Sequence, residues 1–275
     1  MTSDPRSRLV GIAPPYLAGG PADYQEVLHL LRRDHGWFVT THGHGVRALS
    51  PCGRVKIHEA RWSTNGPALI LSEEAPDSSL LWYATISRHT PVEFVLPAVA
   101  VLAAALRDGP QTPHSPPNGD AEVDFERWSP APGWTVTFSG EDYQVHDPPD
   151  TLASFVLRRP GPGESSFPRQ QEPGYSFFGG PEDSPHHWSA EFSPGSPPAV
   201  VAAMYRAVAD PAPVVRRPAE VPPFHWPHAT IVPLAAPAPA RRIAAATRTT
   251  TAPPQPPTVK PAKEPAQSPA RRRTR

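Results

Sequence analysis

Trp82-Tyr83-Ala84-Thr85-Ile86-Ser87-Arg88-His89-Thr90-Pro91 and Trp188-Ser189-Ala190-Glu191-Phe192-Ser193-Pro194-Gly195-Ser196-Pro197 decide the fold of this chain. They lie at a constant offset of 106 residues, with Trp, Ala, Ser and Pro repeated in place. The Ile86/Phe192 and Thr90/Ser196 pairs keep the same physical character. Each stretch reads as an alternating strand, a short turn, a hydroxyl suited to cap a helix, and a proline at the first helical position, where its missing N–H costs nothing. A strand, turn, cap and helix recurring together indicate a duplication.

Tyr24, Val27, Leu28 and Leu31 fall on one face of a helix over residues 23–33. Asp23 and Glu26 have the spacing of a capping box, and Gly36 ends the helix. Short strands follow at 37–41, 46–50, 54–60, 68–71 and 80–87, broken by turn formers such as Pro51-Cys52-Gly53, so an antiparallel meander is expected. The helix after Pro91 carries Phe94, Val95, Val99, Leu102 and Leu106 on its apolar face, and Thr90 with Glu93 has capping-box spacing. Pro97 should kink it. The pattern restarts at Gly133-Trp134, with strands at 142–146, 151–158, 175–178 and 187–192 and a helix over 197–209.

The expected fold class is therefore α+β, two repeated β-meander units each closed by a C-terminal helix. The first unit spans 15–110 and the second 128–211, joined by an acidic, proline-rich linker at 111–127. An extension at 212–232 packs on the body, with Trp226 expected to staple it there or else to stand exposed as a partner anchor, and 233–275 is a disordered tail. Trp37, Trp82, Pro91, Trp134, Trp188 and Pro197 form the structural signature of the repeat. These motifs resemble the actinomycete family catalogued as domain of unknown function 317, in its tandem two-copy type. The resemblance covers about residues 15–211 and implies no activity or catalytic residues.

Of 275 residues, 42 are proline, and those of the tail come with Ala, Thr and Arg, too little apolar surface to offset ordering entropy. Formal charge sums to zero, yet residues 233–275 hold nine basic residues against one acid, a net +8, which leaves −8 on the remaining 232. The flexible polycation of Arg241, Arg242, Lys260, Arg271, Arg272, Arg273 and Arg275 suits contact with phosphate backbones without reading sequence. One cysteine, Cys52, excludes an internal disulfide. Residues 1–9 are polar, with no apolar stretch of a secretory leader, and the longest apolar run, 92–106, contains Glu93 and Pro97 and falls short of a bilayer span. A cytoplasmic protein with no membrane segment is expected.

Candidate chemistry is sparse. His42 and His44 share a strand face and with His58 have metal-ligand potential, but a solvated hairpin is the better reading. His186-His187 point to opposite faces. Glu73-Glu74, Glu141-Asp142 and Glu182-Asp183 read as loop carboxylates, no Gly-x-Ser-x-Gly elbow or phosphate loop is present, and Cys52 reads as an ordinary exposed thiol. No enzyme activity, cofactor or metal is expected. The leading reading is a non-catalytic binding or scaffold protein with a protein partner; the alternative is a nucleic-acid-associated protein recruited through the basic tail.

Overall fold

The computed structural model describes residues 9–19, 24–43, 45–60, 68–107, 127–159 and 172–234. Internal contacts divide the chain into Met1–Leu234 and Ala235–Arg275, and the second unit, with most of the basic tail, lies outside the described residues. So does the linker up to residue 126.

The described body is α+β, with three helices and two antiparallel sheets. Strand β1 (Val10–Ala13) precedes helix α1 (Gln25–His35). A meander follows: β2 (Phe38–His42), β3 (Gly45–Leu49), β4 (Val55–Ala60), β5 (Leu69–Glu74) and β6 (Leu80–Ile86), then α2 (Val92–Arg107). The order recurs as β7 (Thr135–Ser139), β8 (Tyr143–Asp147), β9 (Ala153–Arg158), β10 (Tyr175–Gly179) and β11 (Trp188–Phe192), then α3 (Pro198–Ala209). Strands β12 (Val214–Arg216) and β13 (Thr230–Pro233) flank β1 in a separate three-stranded sheet.

Instead of forming two meander sheets, the strands make one ten-stranded sheet, ordered β2-β3-β4-β5-β6-β11-β10-β9-β8-β7. The join is the antiparallel β6–β11 pair, in which Ala84, Thr85 and Ile86 face Phe192, Glu191 and Ala190. Thr85 and Glu191 stand opposite each other and are also 106 residues apart. That offset maps one strand onto the other about a local two-fold between these two residues.

Hydrogen bonds across the join recur at the same offset. Ser189 N–H donates to Ser87 Oγ at 2.9 Å, and Tyr83 N–H donates to Ser193 Oγ at 3.0 Å. Ser87 N–H reaches Ser189 O at 2.8 Å while Ser193 N–H reaches Tyr83 O at 2.9 Å. Thr90 Oγ1 donates to Ser189 O and Ser196 Oγ to Tyr83 O, at 3.0 and 3.2 Å. The hydroxyls thus satisfy backbone groups just beyond the three-residue ladder, where a buried unpaired N–H would be costly.

All three helices cover one sheet face. Phe94 of α2 packs on Trp188, Tyr205 of α3 stacks on Phe155, and Gln25 of α1 hydrogen-bonds Glu59. The alternation of buried and half-buried residues along β5, β9, β10 and β11 follows from this one-sided cover. Gly36 and Gly133 both adopt positive φ, at 67° and 82°, a conformation glycine takes without a Cβ penalty, and each turns the chain into a buried tryptophan, Trp37 or Trp134.

Several local expectations are corrected. Helix α1 starts at Gln25 after an uncapped Tyr24, and Asp23 lies outside the described residues. Thr90 and Glu93 do not form a capping box: Thr90 serves the β6–β11 join, and Glu93 makes a two-pronged pair with Arg216 beside β12. Glu73 and Glu74 belong to β5, not to a loop. Glu73 is buried, accepts the Trp82 indole N–H at 2.8 Å and faces Arg54 at 3.7 Å, which balances a carboxylate that burial alone would penalise.

Candidate functional site

Two regions bring chemistry-bearing residues together. The first is the sheet face opposite the helices. A transverse row runs Thr40, Arg47, His58, Ile70 and Thr85 across the first five strands. It continues through Glu191, Ser176, Val156, Val145 and Phe138 across the other five. At about 4.8 Å per strand, ten strands make a surface roughly 45 Å wide. Its two ends differ. At the β2 end lie Thr40, His42, Arg47 and His58, whereas at the β7 end Phe138 stacks on Tyr143 with ring centroids 4.6 Å apart. Among the described residues no helix lies against this face.

Two of the three histidines singled out in the sequence lie on this face. His42 lies opposite Gly45, and His58 lies opposite Arg47 one strand further on, so both rings project from the open face, while His44 lies outside the described residues. His42 Nε2 is 3.2 Å from Thr40 Oγ1. Among the described residues no group of three or more His, Cys, Asp or Glu is placed to hold a metal ion. Arg241, Arg242, Lys260, Arg271, Arg272, Arg273 and Arg275 all lie outside the described residues.

The second region is a junction where four distant segments meet. The carbonyls of Tyr16, Leu17 and Ala18 each accept a hydrogen bond from far along the chain. Trp188 Nε1 donates to the first at 3.0 Å, His225 Nδ1 to the second at 2.9 Å, and Arg216 Nε to the third at 3.2 Å. Tyr16 Oη donates to Asp150 at 2.6 Å, and burial together with that carboxylate pushes the phenol's pKa well up. Because Leu17 O can only accept, His225 Nδ1 carries the proton, leaving Nε2 to accept from Ser184 Oγ at 3.3 Å.

His225 is completely buried between Gly19 and Gly180, where a β-carbon would stand 3.3 and 2.9 Å from its ring. The His89 and His186 rings meet edge to face nearby, with centroids 4.9 Å apart. Burial, followed by the charge of His186, Arg88 and His225, holds the His89 imidazole below its ordinary pKa. Burial lowers His225 too, outweighing the hydrogen bond to Leu17, and His186, His228 and His187 add to it. Trp226, expected as the staple, is 36% exposed, so His225 holds the extension where Trp226 was expected to. Pro223–His225 is a 3-10 turn of about three residues per turn, which leaves Phe224 and Trp226 outside and His225 inside.

Other sites are less convergent. Cys52 is exposed; its partial burial pushes the thiol up, but hydrogen bonds from Ser50 and Arg54 and the Arg54 charge outweigh this and the net shift is downward. An open groove of about 630 Å³ lies between α2, α3 and β12, with an apolar floor of Phe94, Pro97 and Ala203. Its acid Glu93 is already committed to Arg216. No helix among the described residues is long and apolar enough to cross a membrane. No family model, curated protein or solved structure matches the chain.

Proposed function

We propose that this chain is a non-catalytic binding or scaffold protein, built by tandem duplication of one α+β unit, that engages a protein partner on the open face of its ten-stranded sheet. The observation that carries this reading is the β6–β11 join, which merges the two halves into one face while the helices occupy the other. The recurrence of the serine and threonine hydrogen bonds at the 106-residue offset supports the duplication, as does the resemblance to the two-copy family of domain of unknown function 317. A protein partner suits the face because Arg47 and Glu191 are interspersed with Ile70, Val156 and Phe138. A phosphate backbone suits it poorly, since the first 232 residues carry a net −8. The single exposed thiol fits a cytoplasmic setting.

A photo-crosslinking residue at Thr85 or Ser189 in the full-length protein, expressed in its native host, should give a discrete protein adduct. The same residue at exposed Arg206 on α3 should not. Equal yields from both faces, or none from the sheet face, would remove the support for this reading. The net +8 of residues 233–275 favours a second reading, in which the tail recruits nucleic acid. In that case retention on DNA or RNA at low salt disappears when residues 235–275 are deleted.

A further inference from the structure

Residues 217–233 form a strap. It passes through short 3-10 turns at Pro218–Glu220 and Pro223–His225 and returns as β13 along β1. Only Val221, Pro222 and His225 of this strap are buried; the side chains of β13 are exposed or half-exposed. Backbone pairing to β1 and the His225 slot therefore carry most of its attachment. We propose that the strap is a proton-operated latch, closed while His225 is neutral and released when the histidine cluster at the junction is protonated.

The geometry of the slot makes the neutral ring the fitting form. Nδ1–H is committed to Leu17 O, and Nε2 accepts from Ser184 Oγ, which itself accepts the His186 N–H at 3.1 Å. A second proton turns Nε2 into a donor and places a cation in a slot walled by Gly19 and Gly180. The charged and titratable groups around it are mostly cationic or become so: Arg88 and His89 from the β6–α2 turn, His186 and His187 from the β10–β11 loop, and His228 on the strap itself. Against them stand Glu182, whose charge acts on His187, and Asp183, which lines a small groove with His228. From the N-terminal segment the titratable group is Tyr16, already bonded to Asp150. Leaving the slot returns the imidazolium to water and bares the outer edge of β1.

The direction follows from linkage. His225 titrates below its ordinary value of 6.5 while buried in the slot, and its charge adds to the lowering of His89, so the released form binds the extra protons. Closure is fully favoured above pH 6.5 and weakens as the pH falls through the depressed values, up to tenfold per pH unit for each proton taken up.

The test is amide hydrogen exchange on the full-length protein between pH 7.5 and 5.5, corrected for intrinsic rates. It compares residues 228–233 with the strands of the ten-stranded sheet. Protection of the strap should fall at least tenfold relative to the sheet below pH 6.5; a constant ratio overturns the latch. His225→Asn should flatten the profile, and a persisting drop overturns His225 as the trigger. Because that substitution can detach the strap outright, His186→Gln gives an independent reading. Removing one neighbouring charge should raise the buried His225 value toward 6.5 and so shrink the drop, and an unchanged drop overturns the cluster as its cause.

Discussion

Replacing Trp188 by alanine should lower the unfolding free energy by about 3–5 kcal/mol, among the largest effects of a single truncation in this molecule. The indole is completely buried, packs against Phe94 of α2 with ring centroids 5.5 Å apart, and donates to Tyr16 O. It therefore ties three layers together: the sheet, the helix over it and the N-terminal segment. Truncation leaves a large cavity and strips one of the three clamped carbonyls of its partner. Gly179 lies directly across from Trp188 in β10, and a β-carbon there would come within 2.3 Å of the indole. Gly179→Val should accordingly destabilise to a similar degree by overfilling the same space. Urea unfolding followed by tryptophan fluorescence and by circular dichroism measures both; a loss under 1 kcal/mol in either would show that the indole does not sit on Gly179.

Ser87→Ala and Ser193→Ala should each cost about 1–3 kcal/mol, and by similar amounts. Each hydroxyl is the acceptor for a backbone N–H of the opposing strand, Ser189 for Ser87 and Tyr83 for Ser193. Removing it orphans a donor at the edge of the β6–β11 join. The double variant should lose roughly the sum, 2–6 kcal/mol, because the two bonds lie at opposite ends of the paired segment. Ser154→Ala, on the same face of β9, orphans no backbone donor, since it gives up a bond to Asp147, which still accepts from Thr137, and should cost less. Strongly unequal effects at Ser87 and Ser193 would contradict the equivalence of the two halves.

Much of the architecture was legible in the sequence, for reasons that can be traced to residues. The 106-residue offset located a strand, a turn and a helix start twice, and Gly36 and Gly133 marked the entries to Trp37 and Trp134 through a backbone conformation glycine adopts freely. The merger of the meanders was not legible. It depends on which strand edges meet, and across that join hydroxyls of Ser87, Ser193, Thr90 and Ser196 reach backbone groups about 100 residues away. The three-stranded sheet escaped because β1, β12 and β13 hold only three or four residues each, and their partners lie some 200 residues apart in sequence.

The site was read less well than the fold. Glu73 looked like a solvated loop carboxylate, as most are; it is buried because Trp82 directly opposite supplies an indole donor and Arg54 a charge. Trp226 looked like the anchor because it is large and apolar. The anchor is His225, whose two ring nitrogens both find partners in a slot that only the folded N-terminal segment creates.

Both halves share one continuous sheet, and native-state hydrogen exchange reads this directly. If β6 and β11 are central strands, the amides of Tyr83, Ser87, Ser189 and Ser193 should be among the slowest in the protein and exchange only through global unfolding. Those of the edge strands β2 and β7 should exchange far faster. Exchange of the β6 or β11 amides at edge-strand rates would contradict the join, and with it the open face on which the proposed binding role depends.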